Sequence, residues 1–175
     1  KVKSFDATAA KAVPGVVEVV QISRGVAVVA QNTWAAMKGR EALQVVWDDS
    51  GAETRSSEAM FKAFEGLAKQ DGKVALQRGD AAGKLATAKT TIEATYRFPY
   101  LAHAAMEPLN AVVHKDGDRL HIHGGLQMPD VVQGTCAQIA GVKPEQVDLH
   151  VMKTGGGFGR RAVADSDVFV EATEI

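Results

Sequence analysis

Lys153–Arg161 reads KTGGGFGRR, with four glycines in five positions, one phenylalanine among them and two arginines behind. Glycine loses more backbone freedom on folding than any other residue, so such a run marks either a plain turn or a place where something approaches the main chain closely. Phe158 weighs against the plain turn, because a large apolar side chain inside a glycine loop is normally anchored. Two nucleotide-binding patterns fail on the run. A phosphate-cradling loop requires Gly-x-x-x-x-Gly-Lys and then Ser or Thr, whereas here Arg160 and Arg161 supply the cations and Ala162 follows. In Gly-x-Gly-x-x-Gly, counted from Gly155 and Gly157, the last glycine would fall on Arg160. A nucleotide site is therefore disfavoured. The guanidinium groups of Arg160 and Arg161 suit contact with anionic cofactor or substrate groups; the alternative is a solvent-facing pair after a turn.

Two further side-chain sets could do chemistry. His121 and His123 form a His-x-His pair that suits a metal, but no third or fourth ligand stands at a suitable spacing. No metal site is expected; the pair reads as a solvated or subunit-facing sheet surface. Cys136 is the single cysteine, which excludes an internal disulfide framework and a cysteine-based zinc site. It lies on the apolar face of a helical segment and reads as a small core residue.

The elements that must position these residues are legible from periodicity and turn chemistry. Val147–Met152 (VDLHVM) alternates as a strand and delivers the chain into the glycine run. AVVH, then Lys115-Asp116-Gly117-Asp118, then RLHIH read as a hairpin, because Asp-Gly supplies the positive φ that tight turns prefer. Leu120 and Ile122 share one face of the return strand, and Arg119, His121 and His123 the other. Gly124-Gly125-Leu126-Gln127 leads into a helix with Pro129 in its first turn and Gly141 beyond its end. Read from its neighbours alone, Gln127 is a loop residue placed to cap that helix. Upstream, VVEVVQI and VAVVAQ flank Ser23-Arg24-Gly25 as a hairpin, Thr33 caps a helix through TWAAMKGREAL, and QVVW returns as a strand. Ser56 or Ser57 caps a helix whose Met60, Phe61, Phe64, Leu67 and Ala68 form one apolar stripe. The segment 69–84, KQDGKVALQRGDAAGK, reads as a linker, and TTIEATYRF as the strand that opens the second half. At the end, Val168, Phe169, Ala172 and Ile175 fall at helical spacing with no stop signal. With a start at Lys1 that lacks methionine, this reads as a piece cut from a longer chain.

Gross properties limit the partners. The chain has 175 residues, 46% hydrophobic and 23% charged, as in ordinary globular proteins. A formal net charge of -1 gives no support to a nucleic-acid surface. No apolar run approaches the roughly 18 residues needed to span a bilayer.

Three ordered boxes carry a resemblance: HAAMEPLNA (His103–Ala111), GGLQMPDVV (Gly124–Val132) and TGGGFGRR (Thr154–Arg161). Together they resemble the molybdenum-binding large subunit of the xanthine oxidase family, and within it the isoquinoline 1-oxidoreductase branch with its related aldehyde dehydrogenases. VPGVVEVV, GVAVVAQNTWAA and ALQVVWD resemble the α/β hammerhead region that precedes the boxes. The resemblance implies an α+β fold, with residues 1–80 hammerhead-like and 81–175 the N-terminal part of a molybdopterin-binding domain. It implies that Gln127, Gly156, Gly157, Phe158, Gly159 and Arg160 contact the cofactor. In that scheme Phe158 and Gly159 sit at the metal's apical face, and the Gly159 amide and the Gln127 carboxamide donate to an oxo ligand. Backbone N–H groups approach such a ligand only where side chains do not hold them apart. His103, Met106 and Glu107 match the first box and are expected to pack beneath the site. The double arginine departs from purine-oxidising members, where glycine and lysine follow the motif.

The implied activity is oxidation of aldehydes or hydroxylation of N-heteroaromatic rings with water-derived oxygen. The implied cofactor is molybdopterin cytosine dinucleotide with molybdenum, not expected to stay bound to this stretch alone. The implied partner is a small iron–sulfur subunit. No general base is expected within these residues, since the family base is a glutamate far toward the C-terminus. The compartment, bacterial periplasm or cytoplasm, is not determined. The competing reading is a non-catalytic binding or assembly module on the same fold.

Overall fold

The computed structural model describes residues 1–175. Strand β1 (Val2–Asp6) passes through a single helical turn, α1 (Thr8–Lys11), into the hairpin of β2 (Val16–Ile22) and β3 (Gly25–Ala30). Helix α2 (Thr33–Ala42) and strand β4 (Gln44–Trp47) follow, and β4 pairs antiparallel with β1. The cap of α2 is Asn32, not Thr33: its side chain accepts from the Ala35 amide at 2.9 Å. Asparagine fills that position as well as threonine does. Gly39, a poor helix former, has a packing reason. A Cβ there would stand 2.8 Å from both Val16 Cγ2 and Val28 Cγ1, so α2 lies directly on the hairpin. Close approach offsets the roughly 1 kcal/mol that glycine costs in a helix relative to alanine.

Residues Ala52–Ala102 cluster as a separate compact unit. It holds α3 (Ser57–Leu67), capped by Ser56 Oγ accepting from the Ala59 amide at 3.2 Å, and α4 (Ala81–Ala86). The apolar stripe of α3 is present, but no residue of the helix is buried; Leu67 is 61% exposed. Two expectations fail in this unit. The segment 69–84 is not all linker, since α4 begins inside it, capped by Asp80 accepting from the Gly83 amide at 2.9 Å. TTIEATYRF forms no strand. A strand exists only through hydrogen bonds to a neighbour, and none pairs with this segment, which leaves Ile92, Tyr96 and Phe98 exposed.

Lys1–Gly51 and His103–Ile175 form the other unit. Its second part is built on β5 (Val112–Asp116), β6 (Arg119–Gly124) and β7 (Val147–Val151). Strands β5 and β6 are the predicted hairpin, with Gly117 at φ +59° and His114 opposite His121. β7 pairs with β6 in parallel, with α5 (Pro129–Ala140) in the crossover. That helix ends at Gly141 in the left-handed conformation, as read from the sequence. One face of the sheet carries Leu120, Ile122 and Val147, which pack with Val132, Cys136 and Ala137 of α5 and with Phe169 of α6 (Asp167–Glu174). Burying each aliphatic side chain here contributes about 1.5–3 kcal/mol. Cys136 is fully enclosed in this core, and burial pushes its thiol pKa up.

The predicted apolar face of α6 is rotated. Phe169 and Val170 are buried, while Ile175 is 60% exposed. The helix starts from Ser166 in a left-handed conformation, and Phe169 is drawn onto Gly124. A Cβ on Gly124 would lie 2.6 Å from the Phe169 ring. The two sequence-distant parts of the unit are tied by the Ser23 amide donating to Glu174 Oε2 at 2.9 Å and by Arg24 with Asp165 at 2.9 Å. No helix is long and apolar enough to cross a membrane.

Candidate functional site

Because β6 and β7 are parallel neighbours, their carboxyl ends lie side by side. The Met152 amide donates to Gly124 O at 2.9 Å where the two strands finish. The loop bearing Gln127 and the glycine loop therefore leave the sheet together, at the edge where open α/β sheets place ligands. The Gln127 amide donates to Arg161 O at 3.0 Å, which closes the two loops on each other. The Gln127 side chain does not cap α5, whose N-terminus has no side-chain cap at all. It lies instead against Gly157. A Cβ on Gly157 would stand 2.6 Å from Gln127 Oε1 and 2.9 Å from Cδ.

The glycine loop takes a shape few sequences could hold. Gly156 and Gly159 have φ of +106° and +89°, and Phe158 between them has φ +54°. Side chains beyond glycine rarely adopt the first two values. Arg160 N donates to Gly157 O at 2.8 Å and Ala162 N to Gly159 O at 3.0 Å, which turns the loop back toward the protein. The amides of Gly156, Gly157, Phe158 and Gly159 donate to no protein acceptor. Successive free N–H groups in such a conformation make a concavity for negatively charged or strongly polar atoms. Phe158 is 74% exposed, so the anchor expected for it is not provided by this chain.

The third box reaches the same place. The Glu107 carboxylate accepts from the Gly155 amide and, through Oε1, from Asn110 Nδ2 at 2.9 Å; the Glu107 amide donates to Gly155 O at 3.3 Å. The Gly155 amide, then Asn110, then the Arg161 charge hold the Glu107 carboxyl below its ordinary value. A Cβ on Gly155 would stand 2.6 Å from Glu107 Cβ, so the first glycine of the run serves this contact. Of the residues expected to pack beneath the site, Glu107 is engaged, while His103 and Met106 are exposed.

Neither sequence alternative for the double arginine describes Arg161. It is 6% exposed, and its guanidinium donates only to groups of this chain. Arg160 makes a two-point pair with Asp167 of α6, at 3.1 and 2.6 Å. Nearby, Ser166 Oγ is buried without a protein partner. It lines a cavity of about 10 Å³ with Asn110, Gly125 and Phe169, room for about one water.

The His-x-His pair belongs to a larger array. His114 stacks on His121 at 4.7 Å between ring centroids, and His123 on His150 at 4.1 Å, with interplanar angles of 12° and 6°. The hairpin register could have revealed His114, since a two-residue Gly117-Asp118 turn sets it opposite His121. His150 required the parallel pairing of β6 with β7. The rings lie face to face, and no group of three or more potential ligands converges on a metal position. Partial burial, then the neighbouring His150, His114 and His121, keep the His123 pKa below its ordinary value.

The chain has relatives among known proteins. Over 185 residues the chain is 30% identical to the beta subunit of isoquinoline 1-oxidoreductase from Brevundimonas diminuta, a match that covers 97% of this chain and 23% of that protein. It is 26% identical to one of the subunits of nicotinate dehydrogenase from Pseudomonas putida, over 87% of this chain and 13% of that protein. It is 34% identical to an aldehyde oxidoreductase molybdenum-binding subunit of Escherichia coli over 54% of this chain and 13% of that protein. The chain thus spans less than a quarter of the length of these relatives. Quinoline 2-oxidoreductase from Pseudomonas putida 86 shares the fold, with a TM-score of 0.60 at 18% identity, over 97% of this chain and 27% of that one. The α+β arrangement is the one this chain shares with that enzyme. Residues 65–172, which contain all three boxes, match the molybdopterin cofactor-binding domain model, and the chain belongs to that family.

Proposed function

We propose that the protein carrying this chain is a molybdenum-dependent oxidoreductase that oxidises aldehydes or hydroxylates N-heteroaromatic compounds, with this chain supplying one wall of its cofactor site. The observation that carries the reading is the apposition of the Gln127 side chain to Gly157, in a loop whose Gly156–Gly159 amides are free, at the ends of β6 and β7. These residues fit a molybdopterin group. The concavity offers N–H donors without side chains in the way, and a Cβ at Gly157 would push against the Gln127 carboxamide. Bound there, the group would supply two-electron oxidation with oxygen derived from water.

The chain's own residues hold and orient. Gln127 offers an uncharged carboxamide, and Gly156, Gly157, Phe158 and Gly159 offer main-chain donors fixed before the ligand arrives, which is the condition for strong electrostatic stabilisation. Arg160, held by Asp167, follows the loop directly in sequence. The exposed Phe158 ring is available as a wall against the cofactor or substrate. No carboxylate in this stretch is assigned as general base.

The finer assignments belong to the same proposal. The cofactor is the cytosine dinucleotide form, electrons leave to a small iron–sulfur subunit, and the substrate is a small aldehyde or N-heteroaromatic molecule. The names of the relatives support the substrate classes, since they include isoquinoline, nicotinate and aldehyde enzymes. Residues 1–80 would be the hammerhead-like region and 81–175 the beginning of the cofactor-binding domain. Gly159→Val in the full-length protein tests the site. At φ +89° a β-branched residue is strained, and the loop should lose its shape while the core stays folded. The expected result is protein with native circular dichroism but little molybdenum or pterin. Wild-type cofactor content and turnover would overturn the reading.

A further inference from the structure

Arg161 is the one charged residue buried in the chain; its side chain is 1% exposed. A buried guanidinium is costly unless its donors are met, and here each nitrogen is met by a different segment. Nε donates to Gly156 O at 2.9 Å in the glycine loop. Nη1 donates to Gly125 O at 3.3 Å in the loop that carries Gln127. Nη2 donates to Glu107 O at 3.0 Å in the first box, with the Glu107 carboxylate 3.5 Å away. The Arg161 carbonyl completes the set by accepting from the Gln127 amide at 3.0 Å.

We infer that Arg161 is the positioning residue of the site: its guanidinium locks all three boxes into one arrangement and sets the direction of the cofactor-facing amides. The inference rests on the proposed reading of the glycine loop as a cofactor wall. The physical link is the planarity of the peptide bond. In a trans peptide the C=O of one residue and the N–H of the next point in opposite directions. Holding Gly156 O against Arg161 therefore turns the Gly157 N–H away from the protein interior. The same side chain holds Gly125 O two residues before Gln127, while its own carbonyl fixes the Gln127 amide. One rigid, planar fork thus sets the separation between the two donor groups of the site. Lysine cannot replace it, because a single ammonium on a flexible stem cannot meet three diverging carbonyls in a fixed plane. Gly125 keeps the place open: a Cβ there would stand 3.3 Å from Arg161 Nη1 and would collide with Thr154.

The test uses the full-length holoprotein, with Arg161→Lys compared with wild type. Three quantities are read: molybdenum and pterin per polypeptide, the molybdenum EPR signal of the partly reduced protein, and kcat and KM per bound molybdenum. A positioning role predicts an altered EPR line shape and a kcat per molybdenum lower by about tenfold to a hundredfold, the usual penalty for misplacement by about 1 Å. KM should move much less. A merely structural role would lower the melting temperature or the yield and leave both the EPR signal and kcat per molybdenum unchanged; that result overturns the inference. Should Arg161→Lys fail to fold, Glu107→Gln replaces it. That variant keeps an acceptor for the Gly155 amide but removes the charge beside Arg161, and an unshifted EPR signal would again overturn the inference. If Gly159→Val empties the site while Arg161→Lys leaves the EPR signal and kcat intact, only this inference fails. If Gly159→Val retains cofactor, the reading of the loop fails first.

Discussion

Gly157→Ala separates the chemistry of the site from the stability of the fold. Gly157 is not one of the positive-φ glycines, unlike Gly156 and Gly159, so its φ does not by itself disfavour alanine. The added methyl would instead stand 2.6 Å from Gln127 Oε1 and 2.9 Å from Cδ. Those distances are well inside normal contact between nonbonded carbon and oxygen or carbon atoms. The Gln127 carboxamide is the end of an exposed, flexible side chain, and it should yield by about 0.5–1 Å at little cost in folding energy. A stability change within about 0.5 kcal/mol is expected, as for surface substitutions that disturb no core contact. Turnover should suffer far more. Displacing a donor at the reacting centre by that distance costs about tenfold to a hundredfold, or about 1.4–2.7 kcal/mol in the barrier.

The assay is kcat per bound molybdenum in the full-length protein, with an aldehyde or N-heteroaromatic substrate and a dye acceptor, alongside thermal unfolding. Gln127→Ala supplies the other half of a double-mutant cycle. If Gly157→Ala acts by displacing Gln127, the double variant should be no slower than Gln127→Ala alone, since coupled residues are not additive. Additive losses, or an unchanged kcat in Gly157→Ala, would refute the proposed apposition of Gln127 and Gly157.

Two predictions concern pH. The Glu107 carboxyl titrates below its ordinary value of 4.5 because the native state favours its charged form. Its contribution to stability is therefore fully present above pH 4.5 and is lost as pH falls through the lowered folded-state value. Thermal unfolding from pH 6 down to 3 should show a shallower acid-side decline in Glu107→Gln than in wild type; parallel curves would count against the Glu107–Gly155 clamp. His123 titrates below its ordinary value of 6.5, so the folded state binds fewer protons than the unfolded one between those two values. Stability should fall as pH drops from 6.5 through the lowered value, and His123→Gln should flatten that slope. The charged and titratable groups sharing its sheet face are His114, Asp116, His121, His150, Asp148 and Arg119, the last two ion-paired with each other. An NMR titration that places His123 at or above 6.5 would refute the stacked array.

The elements around the site are legible in the sequence because their signals are local. Asp116-Gly117 marks the β5–β6 turn, Pro129 and Gly141 bound α5, and the alternation of Leu120 and Ile122 with His121 and His123 assigns the two faces of β6. The three boxes are visible as words in the sequence, and with them the family. How those words meet is not written locally. Only the parallel pairing of β7 with β6 brings Gln127 beside Gly157 and completes the histidine array with His150. In the sequence Arg161 is one of two equivalent cations, yet its acceptors lie 5, 36 and 54 residues away. The same dependence on distant contacts defeats the strand reading of TTIEATYRF, a β-prone segment with no partner to pair with. Turns and helix ends depend on neighbours in sequence, whose separation is set by covalent geometry. Ladders, buried ion partners and the facing of a glycine depend on contacts between distant residues, and these exist only once the chain has folded.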